Sequence, residues 1–157
     1  MLNNKEQIDI EIQVTSSEYW AERTLFYLGK MFVDQLKPGE DYQKLEKCIH
    51  VGILNFTLFD DEEYYSRFHF WSDQGRKMYS DKFEIHTLEL PKLAKHEYPE
   101  TELLKWLQFI NAESKEEFEM AAEKSKYIKK AYEDLNRISA DEEKRLEYEA
   151  RERAIRD

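Results

Sequence analysis

The first candidate for chemistry is a run of alternating residues near the start of the sequence. Residues 7–14 alternate polar with apolar side chains, which is the period of a β-strand. Asp9, Glu11 and Gln13 therefore share one face of the predicted strand, and isoleucines and a valine share the other. Carboxylate and amide oxygens can bind hard cations or a water molecule. The alternation by itself favours the plainer interpretation, which is an ordinary solvated strand face.

The other residue types that often do chemistry form no recognisable arrangement. His50, His69, His86 and His96 lack the spacing of metal ligands, so we expect structural or surface roles for them. Cys48 is the single cysteine, which excludes an intramolecular disulfide and a multi-cysteine zinc site, and its apolar setting predicts a buried thiol. The sequence offers no Ser/His/Asp arrangement and no glycine-rich phosphate loop.

The composition is that of an acidic protein with an aromatic core. The 157 residues include 14% aromatic and 37% charged side chains, and 34 acidic against 24 basic residues give a formal charge of -10. Nucleic-acid-binding domains are usually basic, although a local basic strip or a bound metal ion can reverse the field at a site. With no signal-like segment and no long apolar stretch, we expect a cytoplasmic protein without membrane association.

The residues that follow the first strand predict a mixed α/β core. A helix is expected at residues 18–36, after N-cap candidates at 15–17 and before Pro38-Gly39. The apolar run at residues 48–58 is typical of a strand buried on both faces. Two further strands are expected at residues 64–71 and 83–90, the second stopped by Pro91. Residues 78–80 are a candidate start of the chain's return after the turn.

The last third of the sequence predicts helices. Residues 100–111 carry an apolar stripe, and Ser114 with Glu117 fits a capping box. Residues 141–157 alternate acidic with basic side chains, which is typical of an exposed helix laced with salt bridges. A helix that binds a partner or regulates the core is the alternative interpretation of this region.

Five short motifs, taken in order, resemble one nuclease family. They are IEIQ at residues 10–13, YWAER at 19–23, QLKPGEDY at 35–42, IHVGILNF at 49–56 and ELPK at 89–92. Each motif alone is weak, but their order and gaps are specific. Together they resemble the Rpn family of recombination-promoting nucleases and transposases, a branch of the PD-(D/E)XK nuclease superfamily.

The resemblance implies a DNA endonuclease that depends on Mg²⁺. In the family a Glu-x-Gln strand motif replaces the Glu-x-Lys of the superfamily, and Glu11 and Gln13 occupy these positions. The resemblance makes both residues catalytic, with Glu11 as the metal ligand and Gln13 orienting water or a phosphate oxygen. Arg23 and Tyr27, four residues apart on the helix that follows, are candidate contacts to DNA phosphate or to a metal-bound water. The alternatives are that Arg23 pairs with Glu11 or Glu22 and that Tyr27 packs.

One ligand of the family pattern has no counterpart in the sequence. Relatives carry a metal-binding aspartate on a strand well before the Glu-x-Gln motif, whereas Glu11 lies close to Met1. The resemblance therefore implies an N-terminally truncated core. Asp9 shares the strand face of Glu11 and is the candidate for a substitute metal ligand, although carboxylates on one strand do not reproduce ligands that converge from two strands. Loss of a strand would leave the strand at residues 7–14 as an exposed edge, which could pair with a second copy or with a full-length relative.

These observations combine into one expected architecture and two functional hypotheses. We expect an α/β fold: a truncated PD-(D/E)XK, restriction-endonuclease-like core at residues 1–95, lacking its first helix and strand, and a C-terminal helical region at residues 96–157. The first hypothesis is a member or remnant of a metal-dependent DNA endonuclease family linked to recombination or transposition, weak or inactive alone. The alternative is a non-catalytic short form that binds and modulates a full-length nuclease.

Overall fold

The computed structural model describes the backbone of residues 5–156, and their side chains except at positions 148 and 152–156. The chain divides into two compact units, Met1–Glu97 and Tyr98–Asp157. The first unit holds a four-stranded sheet with one long helix, and the second holds three helices. The mixed α/β fold expected from the sequence is confirmed. The expected domain boundary between residues 95 and 96 stays a prediction.

The sheet of the first unit is mixed. Its strands are β1 (Gln7–Gln13), β2 (Cys48–Leu54), β3 (Tyr65–Trp71) and β4 (Met78–Glu89), in the order β1-β2-β4-β3. The pairs β1–β2 and β2–β4 are parallel, and β3–β4 is antiparallel. Among the described strands, β1 is an outermost strand and its second edge carries no partner, as the sequence predicted.

Helix α1 (Trp20–Val33) makes the crossover between the parallel strands β1 and β2. Its buried stripe is Trp20, Thr24 and Leu28, which follow one another at intervals of four residues. The ring of Trp20 lies directly over Gly52 of β2, so closely that a Cβ at Gly52 would be 2.7 Å from Trp20 Cζ2. The absent side chain therefore lets the helix approach the sheet.

The start of α1 differs from the prediction. The expected N-cap at residues 15–17 is wrong, because Tyr19 occupies the N-cap position without a side-chain capping bond. Ser17 instead belongs to a turn before the helix, where its backbone oxygen accepts from Trp20 N at 3.3 Å. The C-terminal stop is close to the expected one, and Gly39 adopts a φ of 88° in the turn beyond it.

In strand β1 the apolar face is more exposed than the polar face, which is the reverse of the usual arrangement. Asp9, Glu11 and Gln13 lie on the same side of the sheet as α1 and are half-buried, while the isoleucines face the other way. Ile10 and Ile12 are 64% and 59% exposed. A half-buried strand normally hides its apolar face. This strand therefore presents an apolar row beside its unpaired edge.

The remaining strand boundaries shift from the predicted ones by a few residues. The strand expected at 48–58 ends at Leu54, because the chain turns at residues 55–56. The two pieces expected at 78–80 and 83–90 form one continuous strand of 12 residues, β4.

Cys48 is fully buried, as predicted, and burial raises the pKa of its thiol. Gln35 fixes the approach to β2 through two bonds with the backbone of Glu46.

A buried ion pair closes the end of β4. Glu89 and Lys92 are both buried, and Lys92 Nζ lies 3.1 Å from Glu89 Oε2 and 3.0 Å from Asp61 Oδ1. The other carboxylate oxygen of Glu89 accepts from the backbone N–H groups of Leu58 and Phe59, at 2.6 and 3.0 Å. These bonds satisfy the buried charges and hold the loop after β2 against the strand end. The ELPK motif thus has a structural role here.

The second unit contains α2 (Glu102–Ile110), α3 (Lys115–Glu123) and α4 (Lys126–Arg156). The predicted cap at Ser114 is confirmed, since its Oγ accepts from Glu117 N at 3.2 Å. Phe109, Phe118 and Tyr132 form an aromatic ladder that joins the three helices. The later part of α4 is exposed where its side chains are described, as predicted. Within residues 5–156, no helix combines the length and apolar character needed to cross a membrane.

Candidate active site

The parallel pairing and the crossover helix bring the five predicted site residues to one place. Asp9, Glu11 and Gln13 lie on alternate positions of β1 and share one face, as the alternation predicted, and that face is turned towards α1. Arg23 and Tyr27 are one helical turn apart on α1. Since α1 crosses this face of the sheet, the five residues belong to a single surface between the helix and the edge strand.

Glu11 and Arg23 form a direct ion pair. Arg23 NH2 donates to Glu11 Oε1 at 2.8 Å, and the carboxylate is more buried than the guanidinium. The same guanidinium lies over the ring of Tyr27, 5.3 Å from its centroid. The structure therefore shows the pairing that the sequence left open as an alternative for Arg23. It also gives Tyr27 a contact that orients the arginine.

Asp9 has a partner that the sequence did not indicate. Its Oδ2 lies 3.0 Å from Nδ1 of His50, the residue directly opposite it on β2. The His50 ring is only 1% exposed and packs against Trp20. Among the described residues, its Nε2 atom is buried without a hydrogen-bond partner. The contact exists because Asp9 is paired with His50 in the register of β1 on β2. Strand register cannot be predicted from a short sequence motif.

Gln13 is held near the end of the strand. Its Nε2 donates to the backbone oxygen of Thr15 at 3.0 Å. The bond uses the amide nitrogen and leaves the carbonyl oxygen as the end of the side chain that can accept. An oxygen acceptor at this position can orient a water molecule, because water donates to carbonyl oxygens.

The donor chemistry of the site is that of a hard-cation site, but it is incomplete. Asp9 and Glu11 supply carboxylate oxygens and Gln13 an amide oxygen, which are the ligand types that Mg²⁺ prefers. Across the described side chains, no group of three or more His, Cys, Asp or Glu residues could hold a metal ion. Both carboxylates are already bonded, to Arg23 and to His50. A cation at Glu11 would therefore compete with the Arg23 guanidinium for the same carboxylate.

A second polar cluster lies on the opposite side of the sheet. Glu84 accepts from Nε2 of His69 at 2.9 Å, bonds Nε2 of His86 at 2.5 Å and lies 3.3 Å from Lys47 Nζ. Tyr65 completes it, with its hydroxyl 2.7 Å from His86 Nδ1. Burial by itself raises the pKa of Glu84, but these bonds outweigh it and lower the pKa to about 2.

This second cluster gives structural roles to two of the four histidines. His69 and His86 clamp one ionised carboxylate across the β3–β4 pair, as expected for residues within strands. His96, which lies beyond β4, is 3.8 Å from Glu62 and belongs to neither cluster. His86 lies two residues after Glu84 on β4. The sequence did not connect Glu84 to His69 and Lys47, because these residues are 15 and 37 positions away and reach it through the pairing of β4 with β3 and β2.

Comparison with known proteins supplies the family. A model of the PD-(D/E)XK nuclease family transposases matches residues 1–157. No curated protein and no solved structure matches the chain. PD-(D/E)XK nucleases generally use divalent metals such as Mg²⁺. The match covers every element of the α/β unit and the helices after it, so the chain belongs to the PD-(D/E)XK nuclease family transposases.

Proposed function

We propose that the protein acts in cleavage of DNA phosphodiester bonds during recombination or transposition, and that Glu11 and Gln13 form its reactive centre. The observation that carries the proposal is the pairing of Glu11 with Arg23 across 2.8 Å, on the face that also holds Gln13. This pair sets an anionic oxygen donor beside a cationic group. Metal-assisted phosphodiester hydrolysis can use both, the carboxylate to hold a cation and the cationic group to bind a phosphate oxygen.

Each side chain has a defined task in this proposal. Mg²⁺, when bound, supplies activation of water and neutralisation of phosphate charge. Glu11 would hold the cation, with Asp9 as a second carboxylate on the same face. The carbonyl oxygen of Gln13 orients the attacking water. Arg23 bonds a phosphate oxygen of DNA, and Tyr27 keeps the guanidinium in place through its ring.

We also propose that this activity is weak when the chain acts alone. The resting ion pair supports this, because Arg23 and Glu11 neutralise each other's charge and so attract a phosphate or a cation less strongly. Asp9 is likewise engaged by His50. The net charge of -10 opposes the approach of a polyanion. These features favour a site that is completed or activated by a further component.

The second candidate function is a non-catalytic short form that binds and modulates a full-length nuclease. The observation that favours it is the apolar row on β1, where Ile10 and Ile12 are exposed beside the unpaired edge of that strand. An exposed edge strand with an apolar face can add to the sheet of another chain. A full-length relative of the same family is the partner we propose in this case.

The experiment that tests the first function is nicking of supercoiled plasmid with Mg²⁺ or Mn²⁺. Glu11→Ala is compared with the wild-type protein and with Glu22→Ala, which removes an exposed carboxylate of α1 beside Arg23. We expect slow, metal-dependent nicking by the wild-type protein and by Glu22→Ala, with a loss of roughly a hundredfold or more in Glu11→Ala. Equal nicking by all three proteins would assign the activity to a contaminant or another site.

If neither the wild-type protein nor any variant nicks the plasmid, the first function loses its support and the second function is tested instead. The decisive measurement is then the nicking rate of a full-length family nuclease with and without this protein. Modulation that disappears when Ile10 and Ile12 are replaced by lysine would support the short-form role. No change in the partner's rate at micromolar concentrations would contradict it.

A further inference from the structure

A cavity of about 280 Å³ lies within the first unit, between α1 and the strands β3 and β4. Its inner wall is formed by buried residues, among them Trp20 and Leu28 of α1. Its mouth is lined by Leu25, Phe68 and Phe70, which are exposed. The cavity is therefore open to solvent at one end and apolar over most of its surface.

Two polar atoms in the wall lack partners. Thr24 and Thr87 each line the cavity and are each 3% exposed. Within the described part of the chain, neither Oγ1 atom has a hydrogen-bond partner. A buried hydroxyl without a partner costs about 1–3 kcal/mol, so native proteins rarely leave two in one place. The two hydroxyls point to a bound group that accepts or donates a hydrogen bond.

The lining also defines the charge and shape of what would bind. Of the described residues that line the cavity, His69 is the one that can carry a charge, and its ring bonds Glu84 on the other side of the sheet. A charged ligand would therefore be desolvated without compensation. Trp20, Phe68 and Phe83 present aromatic rings, which favour a flat aromatic partner. Engineered cavities of about 150 Å³ hold one benzene ring, so this volume suits about two fused rings.

We propose that this cavity binds a small neutral aromatic alcohol of about two fused rings, with its hydroxyl held by Thr24 and Thr87. An apolar side chain of a protein partner would fill the volume but leave both threonine hydroxyls unpaired. Water would satisfy the hydroxyls but would place polar molecules against the aromatic walls. A molecule with one hydroxyl and an aromatic body satisfies both parts of the lining.

The test is an NMR titration of the whole protein with 2-naphthol and with naphthalene, which lacks the hydroxyl. We expect saturable binding of 2-naphthol with contacts from its ring protons to the methyl groups of Thr24 and Thr87. It should bind more tightly than naphthalene, by roughly fivefold or more, since one neutral hydrogen bond contributes about 1 kcal/mol. No saturable binding, or equal affinity for the two probes, would overturn the proposal, including the case of a cavity that holds only water.

Three sets of variants distinguish specific binding in the cavity from nonspecific binding of an apolar probe. Thr24→Val and Thr87→Val keep the shape and remove the hydroxyl, so each should reduce the preference for 2-naphthol. Thr24→Ser and Thr87→Ser keep the hydroxyl, so each should bind 2-naphthol in preference to naphthalene as the wild-type protein does. Ala21 is an exposed residue of α1 that lines the cavity. Ala21→Phe should narrow the mouth of the cavity and lower the affinity for both probes.

The valine variants also carry a control for folding. Because neither hydroxyl is bonded in the free protein, the valine variants should unfold at the same urea concentration as the wild-type protein or at a higher one. An unchanged preference for 2-naphthol in both folded valine variants would contradict the assignment of these hydroxyls.

Discussion

Glu84 shows at the residue scale how a buried carboxylate can be kept ionised. The folded protein lowers the pKa of Glu84 from 4.5 to about 2, because hydrogen bonds from His69, His86 and Lys47 outweigh the cost of burial. A carboxyl with a lowered folded pKa stabilises the protein above its unfolded pKa. That contribution is lost as the pH falls through the folded pKa. The window for Glu84 is therefore about pH 4.5 to 2.

Replacement of this carboxylate should change the acid stability of the protein. We expect Glu84→Gln to lower the free energy of unfolding by roughly 3 kcal/mol near pH 6, with the difference from wild type shrinking between pH 4.5 and 2. Urea unfolding across this pH range measures it. The control is Glu119→Gln, which removes an exposed partner of Lys115 and should shift stability by less than about 0.5 kcal/mol. A pH-independent difference would contradict a paired carboxylate at position 84.

At the scale of elements, the position of α1 depends on one glycine. The Trp20 ring occupies the space above Gly52, where an added Cβ would meet Cζ2 at 2.7 Å. We expect Gly52→Ala to destabilise the protein by about 1–3 kcal/mol, because a buried tryptophan cannot yield that space without strain. Trp20→Leu should remove part of this penalty in the double variant. Gly75→Ala is the control, since its Cβ would meet only the flexible Lys77 side chain.

The unpaired edge of strand β1 should allow two copies of the protein to associate. We expect the protein to self-associate at tens of micromolar through the unpaired edge and apolar row of β1. Light scattering should show a larger mass for the wild-type protein than for the Ile10→Lys/Ile12→Lys variant. Ile138→Lys is the matched control, because Ile138 is 60% exposed but lies on α4. A monomer at these concentrations would leave heterologous pairing as the remaining use of the edge.

The elements were largely predictable from the sequence, and the contacts between them were not. Strict alternation predicted β1 and the shared face of Asp9, Glu11 and Gln13, because strand period is a local property. The Ser114 cap was predictable for the same reason. The Asp9–His50 bond and the clamp on Glu84 depend on strand register, which joins residues far apart in the chain. The exposure of the isoleucine row depends on which side of the sheet α1 covers.

The whole molecule is acidic although its family acts on DNA, and this contrast sets its last prediction. A formal charge of -10 repels phosphate, so a favourable interaction must come from a local cation. We expect weak binding of a labelled DNA duplex when divalent ions are chelated. Ca²⁺ at fixed ionic strength should strengthen binding by roughly tenfold or more, since it takes the same oxygen ligands as Mg²⁺.

Fluorescence anisotropy of the duplex measures this effect, and two variants locate it. Glu11→Ala should lose most of the gain from Ca²⁺, because it removes the carboxylate that lies beside Arg23. Glu22→Ala lowers the total negative charge by the same amount and should keep the gain. If both variants respond like the wild-type protein, Ca²⁺ acts by screening the whole acidic surface rather than at Glu11. That result would separate the binding of DNA from the site on β1.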